Sequence, residues 1–256
     1  LHIYVKGRTA SEGVLPMTWW DKKEYSSTAY GTNLLKSIFS KLQIFSYPKS
    51  IFAVRDCLQV LSEDNNAVFL DFFAGSGTTG QAVLEMNKED GGNRRFILVT
   101  NNENNICTEV CYPRIEKIVT GYINIKRENI IGIPGNMKYY RTDFIDSKPT
   151  DKNKKRLTEE ATEMLCIKED TFVEIKTGNK NFKIFKNGKK HTGIIYDIMA
   201  IEDFKKFASK IDGKFSLYVF SLSDDTYEEE FEDMKNKIKL SPIPEAILRV
   251  YRRIYK

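Results

Sequence analysis

The chain has 256 residues, 41% of them hydrophobic, which is enough to bury one large core or two smaller ones. Its formal net charge of +5 favours an acidic partner but does not identify one. No apolar run approaches the roughly 18 residues that a membrane span needs, and the N-terminus has no secretory signal pattern. These features predict a soluble protein with no membrane partner.

Four cysteines and two histidines are the candidate soft metal ligands of the chain. Only Cys107 and Cys111 lie close together in the sequence, and neither histidine is near them, so we predict no metal site. The thiols are expected to be buried and reduced, which is typical of a cytoplasmic protein.

The first predicted elements are two helices. Thr32 is expected to cap a helix over residues 33–40, and Ser50 is expected to cap a second helix that ends near residue 61. The second helix has an apolar face at helical spacing, formed by Ile51, Val54, Leu58 and Leu61.

Two strands with a glycine-rich turn between them come next. The apolar run at residues 67–73 predicts a buried parallel strand, because a polar turn precedes it and glycines follow it. Residues 78–88 predict a helix, residues 94–100 a second strand, and residues 106–119 another helix. The inward side chains of the first of these helices are predicted to be Ala82, Val83 and Met86. This order predicts an α/β fold that opens a doubly wound sheet.

A second α/β unit is predicted after a charged linker at residues 141–156. Asn187 and Gly188 predict a hairpin, and His191 just after it is interpreted as structural or exposed. The final helix has a basic face that is either solvated or contacts DNA or a partner protein. Its predicted core stripe is Ile247, Val250, Tyr251 and Ile254. The other predicted elements are a helix at 157–165, strands at 171–176 and 214–222, and helices at 201–212 and 227–237.

The glycine turn at residues 71–80, "DFFAGSGTTG", is the candidate ligand site. A triphosphate loop needs a lysine after its last glycine, but Gln81 stands there. The glycines fit the spacing of a dinucleotide site, although Asp71 at the strand end would repel a pyrophosphate. That carboxylate would instead attract the ammonium and sulfonium groups of S-adenosylmethionine. A turn that needs glycine for packing alone remains an alternative.

Six segments together resemble the modification subunit of type III restriction-modification systems, which are S-adenosylmethionine-dependent amino methyltransferases that act on DNA. The resemblance covers nearly the whole chain. The segments are "YGTNLLKSIF", "FSYPKSIFAVRDCL", "LDFFAGSGTTG", "ILVTNNENN", "TEMLCIKED" and "PIPEAILRVYRRIYK".

The resemblance implies three regions. Residues 1–25 would end a target-recognition region, residues 26–145 would form the cofactor-binding part of a methyltransferase domain, and residues 146–256 would form a C-terminal domain. The expected fold is α/β, a partial Rossmann-like S-adenosylmethionine-dependent methyltransferase sheet followed by a smaller α/β domain.

The resemblance also implies a set of residues that contact S-adenosylmethionine. Lys49 and Ser50 stand where relatives have a Lys-Pro pair beside the methionine end of the cofactor, so Ser50 departs from that pattern. The ribose is assigned to Asn101 or Glu103, just after the second strand. The remaining implied contacts are Asp71, Phe73, Gly75, Ser76, Gly77 and Thr78.

No catalytic residue is assigned within this chain. Relatives of this kind use a Pro-Pro-aromatic motif to hold the flipped base, and no two of the seven prolines are adjacent. Because that motif lies upstream in the resembled family and the chain opens with Leu1 rather than Met, we expect a C-terminal portion that binds the cofactor but does not methylate DNA alone.

The resemblance implies an adenine-N6 methyltransferase and its partners. These would be double-stranded DNA, the N-terminal half of the same subunit, a restriction subunit and a second copy of the modification subunit. A non-catalytic remnant or interaction module of such a complex is the alternative. An oxidoreductase is a third interpretation, which Asp71 disfavours.

Overall fold

A computed structural model describes residues 20–40, 45–146, 148, 150–221 and 226–255. The chain divides into two compact units between Arg141 and Thr142. Most of the predicted end of a target-recognition region, residues 1–25, lies outside the described residues. None of the described helices is long and apolar enough to cross a membrane.

The N-terminal unit contains four α-helices and two pairs of strands among its described residues. The helices are α1 (Asn33–Phe39), α2 (Ile51–Leu61), α3 (Thr78–Asp90) and α4 (Tyr112–Thr120). The strands are β1 (Val68–Asp71), β2 (Arg95–Leu98), β3 (Tyr122–Ile123) and β4 (Asn129–Ile130). Strands β1 and β2 pair in parallel, and β3 and β4 pair antiparallel.

The predicted cap of α1 is wrong, although α1 begins at Asn33 as predicted, and the predicted cap of α2 is confirmed. A π-helical turn at Thr28–Thr32 runs directly into α1, so Thr32 has helical dihedral angles and no capping bond. Ser50 caps α2, since its hydroxyl accepts a hydrogen bond from the Ala53 amide at 3.5 Å. The predicted inner face of α2 ends early, because Leu61 is 75% exposed.

Among the described residues, one face of the β1–β2 pair is covered by a helix and the other face is partly exposed. The covered face packs on α3, where the predicted inward residues are confirmed as buried: Phe69 of β1 joins a cluster with Ala82, Val83 and Met86. The exposed face carries Val68, Leu70, Ile97 and Val99, which are 47%, 51%, 41% and 43% exposed. The prediction of a buried strand is therefore wrong for this face.

The predicted helix at residues 106–119 is confirmed with an altered first turn. Residues Ile106–Cys111 form a π-helical turn that continues into α4. Cys111 is buried, and burial raises the pKa of its thiol to about 11. Cys57 is exposed, which corrects the expectation that all the thiols are buried. Within the described ranges, no three His, Cys, Asp or Glu side chains form a metal-binding group.

The C-terminal unit contains one five-stranded sheet with helices on both faces. Its helices are α5 (Asp151–Glu169), α6 (Ile201–Ser209) and α7 (Glu245–Tyr255). Its strands are β5 (Val173–Ile175), β6 (Phe182–Asn187), β7 (Lys190–Ile195), β8 (Lys214–Val219) and β9 (Ile238–Leu240), in that spatial order. The pairs β5–β6 and β6–β7 are antiparallel, whereas β7–β8 and β8–β9 are parallel.

Apolar residues on the two faces of this sheet form separate clusters. Phe185 and Tyr218 pack with Leu165 of α5 on one face. Phe215 and Leu217 pack with Phe204 of α6 on the other. Alternation along β8 therefore supplies both cores in turn, as expected for a strand buried on both faces.

The C-terminal unit agrees with some of its predicted elements and differs from others. The hairpin is confirmed, with Gly188 at a φ of 59° in its turn, and His191 is buried and stacked on a phenylalanine ring. Helix α5 begins at Asp151, inside the predicted linker. A 3-10 helix at Glu229–Met234 replaces the predicted acidic helix. Val250 of the predicted core stripe is 42% exposed, and the side chains of the next two stripe residues lie outside the described set.

The α/β class is thus confirmed in both units. The wider Rossmann-like sheet remains a prediction, because the described part of the N-terminal unit has only two parallel strands.

Candidate functional site

The glycine turn lies at the carboxyl ends of β1 and β2, between β1 and α3. Its backbone is tied to the chain that leaves β2: the Ala74 amide donates to the Val99 carbonyl at 3.1 Å. Within the turn, the Gly77 amide donates to the Ala74 carbonyl at 2.7 Å. The edge where parallel strands end in an α/β sheet is where ligands of such sheets bind.

The glycines of the turn serve different purposes. Gly75 and Gly77 have φ angles of 51° and 78°, which favour residues without a Cβ. A Cβ on Gly77 would also lie 3.1 Å from the Cys111 sulfur, so the turn packs closely against the helix that precedes α4. Gly80 allows α3 to approach α4, because a Cβ there would lie 2.8 Å from Cδ1 of Ile115. Packing alone therefore accounts for Gly80, whereas the other two shape the turn.

Asp71 bridges the two ends of the turn. One carboxylate oxygen accepts from the Phe73 amide at 3.0 Å, and the other accepts from the Thr79 hydroxyl at 2.6 Å. Both partners are neutral, so they hold the carboxylate in place without cancelling its charge. The arrangement leaves a fixed negative charge at the start of α3.

Ser76 and Thr78 lie on the opposite, buried side of the turn. Their hydroxyls are 3.4 Å apart, and both accept hydrogen bonds from Nη1 of Arg114, at 3.0 and 2.9 Å. The Ser76 carbonyl is also within 3.2 Å of that nitrogen. These hydroxyls therefore have partners within the protein, which indicates that they shape the turn. A ligand at the turn would contact its backbone groups instead.

The polar residues after β2 divide into a structural one and two exposed ones. Asn102 accepts from the Cys107 and Thr108 amides at 3.0 and 3.1 Å, and so caps the helical turn that leads to α4. Asn101 and Glu103 are exposed and bond only weakly to each other, at 3.4 Å. Their side chains are therefore available at the same sheet edge as Asp71.

The loop before α2 also reaches the turn. The ring of Phe45 would lie 3.8 Å from a Cβ built on Gly75. Lys49 is exposed, whereas Ser50 is buried and donates to the Glu24 carbonyl at 2.6 Å while it caps α2. On the turn itself, Phe73 is 93% exposed and presents an aromatic ring at the sheet edge.

Three residues that hold this site were not predicted from the sequence: Phe45, Thr79 and Arg114. One signal for Arg114 was present, because it interrupts a stripe that is otherwise apolar at helical spacing. That stripe consists of Val110, Cys111, Ile115 and Ile118, all of which are buried.

Part of the chain is similar in sequence to known proteins. Residues 4–143 match the family model described as DNA methylase. The chain is 36% identical over 112 residues to the type III restriction-modification enzyme StyLTI Mod subunit of Salmonella typhimurium, a match that covers 42% of this chain and 17% of that protein. It is 39% identical over 106 residues to the EcoPI Mod subunit of Escherichia phage P1, covering 40% of this chain and 16% of that subunit.

A further relative is not a type III protein. The chain is 30% identical over 149 residues to the type II methyltransferase M.KpnI of Klebsiella pneumoniae, a match that covers 56% of this chain and 34% of that enzyme. The chain therefore spans about a sixth to a third of the length of these relatives.

Proposed function

Because the chain belongs to the DNA methylase family, we propose that it is the cofactor-binding part of an adenine-N6 methyltransferase, the modification subunit of a type III restriction-modification system. The single observation that carries the cofactor assignment is the carboxylate of Asp71. It is held by two neutral donors at a glycine turn, at the edge where parallel strands end.

The residues at this edge fit S-adenosylmethionine. Asp71 is suited to the cationic methionine part, and an exposed Asn101 or Glu103 to the ribose hydroxyls. The ring of Phe73 and the left-handed backbone at Gly75 and Gly77 complete the proposed contact surface. When bound, this cofactor supplies an electrophilic methyl group on a sulfonium. Lys49 would lie beside the methionine end, and Ser50 would act indirectly, through the helix it caps.

The base would be presented by another part of the same subunit. The sequence has no Pro-Pro-aromatic motif, and the matched modification subunits are about six times longer than the segments they share with this chain. The exposed face of Val68, Leu70, Ile97 and Val99 supports this proposal. Parallel strands are normally covered on both faces, so we propose that the N-terminal half of the subunit covers these residues.

The remaining partners are proposed on the same basis. The relatives named as modification subunits suggest double-stranded DNA as substrate and a restriction subunit as partner. A homodimer of the complete subunit is part of the proposal, and light scattering on the reconstituted subunit tests it.

Titration calorimetry with S-adenosylmethionine tests the cofactor site. We expect saturable binding that falls at least about tenfold in Asp71→Asn, because a fixed charge facing a cation is lost. Asp64→Asn is the matched control, since Asp64 also accepts from an amide two residues on, at 2.8 Å, but precedes β1. No binding at millimolar cofactor would contradict the cofactor site and favour an interaction module.

Reconstitution with the N-terminal half of the subunit tests the enzyme assignment. We expect adenine methylation of duplex DNA only when both parts are present. Leu70→Glu should prevent reconstitution, because it charges the exposed face, whereas Ile123→Glu should not, because this exposed residue lies on β3. Methylation by the 256-residue chain alone would contradict the proposal.

A further inference from the structure

Arg114 is a fully buried cation beside the glycine turn. It extends from α4, its side chain has no exposed surface, and none of its hydrogen bonds to the described residues reaches a carboxylate. Its Nε donates to the Gln81 side-chain oxygen at 2.8 Å, and its Nη1 reaches the turn. Nη2 is buried and has no hydrogen-bond partner among the described residues.

The charge of Arg114 is compensated only indirectly. Gln81 donates its amide nitrogen to Glu85 at 2.8 Å, so a neutral amide separates the carboxylate from the guanidinium. Burial accordingly lowers the pKa of Arg114 to about 10. A buried cation without a direct counter-charge destabilises a fold unless its hydrogen bonds compensate, and a methionine of similar volume would avoid that penalty.

The hydrogen bonds of Nη1 of Arg114 converge on the two residues that flank Gly77. Nη1 reaches the carbonyl and hydroxyl of Ser76 on one side and the hydroxyl of Thr78 on the other. Gly77 lies between them with a φ of 78° and caps α3 without a side chain. One planar group therefore holds the backbone carbonyl before the left-handed residue and the side-chain hydroxyl after it.

We propose that Arg114 is a positioning residue that holds the glycine turn in the conformation that receives the methyl donor. The inference rests on the proposed function for its ligand, but the contacts to the turn exist without it. Gln81, which stands where a triphosphate loop has lysine, orients Arg114 from the adjacent helix α3.

Arg94 provides a contrast within the same unit. It is also buried, but it pairs directly with Asp90 at 2.8 Å and donates to Asn65 near the start of β1, beyond the far end of α3. Removing this arginine should destabilise the fold without changing the turn. It is therefore the matched control for a buried arginine whose contribution is only structural.

The test combines ligand affinity and melting temperature for Arg114→Met, Arg114→Lys and Arg94→Met. In the Arg114→Met variant, affinity for S-adenosylmethionine should fall about tenfold or more, because a loosened site misplaces its ligand. Lysine should restore part of this loss, since it keeps the charge but not the fork. Arg94→Met should lower the melting temperature while affinity stays within about twofold. Unchanged affinity in the Arg114→Met variant would overturn the proposal.

Amide hydrogen exchange at Gly77 tests the same proposal without ligand. This amide donates within the turn, and its exchange should accelerate about tenfold or more in Arg114→Met but not in Arg94→Met. If the wild-type chain binds no S-adenosylmethionine, the proposed function fails. The exchange rate at Gly77 still tests whether Arg114 holds the turn. Unchanged exchange would overturn it, and Arg114→Lys provides the measurement should Arg114→Met not fold.

Discussion

A close backbone approach at Gly31 predicts that Gly31→Ala destabilises the N-terminal unit. Gly31 is buried in the π-helical turn before α1, and a Cβ there would lie 2.4 Å from the Pro48 carbonyl oxygen and 3.0 Å from that of Lys49. Both obstructing atoms are backbone, so the loop that leads to Ser50 must move. Overpacking of this kind costs about 3 kcal/mol.

The higher helix propensity of alanine offsets part of this overpacking cost. Alanine is favoured over glycine in a helix by about 1 kcal/mol, which leaves a net destabilisation of about 2 kcal/mol. For a unit of this size, the melting temperature should fall by about 8 °C.

Thermal denaturation followed by circular dichroism measures this change. Ala29→Gly is the control: Ala29 is exposed in the same helical turn, so the reverse substitution there should cost only the propensity difference of about 1 kcal/mol. A Gly31→Ala variant that melts at or above the wild-type temperature would refute the reasoning, because propensity would then outweigh the close contact.

Three further predictions follow from buried groups. Gly80→Ala should destabilise by only about 1 kcal/mol in chemical denaturation, because the added Cβ would meet the terminal carbons of the Ile115 and Leu98 side chains and no backbone atom within that distance. Tyr218 donates to Glu169 at 2.6 Å, and although burial alone would raise the pKa of Glu169, its hydrogen bonds with Tyr218 and its other partners lower it. The stabilisation from Glu169 is present above the unfolded pKa of about 4.3 and is lost as pH falls through the lower pKa of the folded state. Tyr218→Phe should therefore weaken the dependence of melting temperature on pH at acidic pH. An unchanged dependence would contradict this. Cys111, with a pKa of about 11, should resist iodoacetamide at about pH 8 until urea is added, and rapid native labelling detected by mass spectrometry would contradict its burial.

The helices, strands and caps that depend on neighbouring residues could be predicted from the sequence. The strand, glycine turn and helix around Asp71 follow from an apolar run, a turn that requires glycine and helical spacing, and Ser50 was recognisable as a cap. These features depend on residues close together in the chain. The capping role of Thr32 was predicted wrongly because this residue has the side chain of a cap but lies within continuous helix.

Long-range features could not be predicted in the same way. Arg114 lies 38 residues from Ser76, and only the packing of α4 on the turn brings them together. The exposure of β1 was also out of reach, because an apolar run shows that a strand prefers burial but not whether other residues cover it. Phe45 was missed for a related reason, since its contact with the turn depends on how the loop before α2 folds back.

The uncovered face of β1 and β2 has a consequence for handling the protein. Its aliphatic side chains lie beside strand edges that make no further backbone pairs among the described residues. Such a surface favours self-association as concentration rises. We therefore expect the yield of dispersed protein to depend on dilution, and co-production with the segment that covers this face should raise it more than any change of buffer.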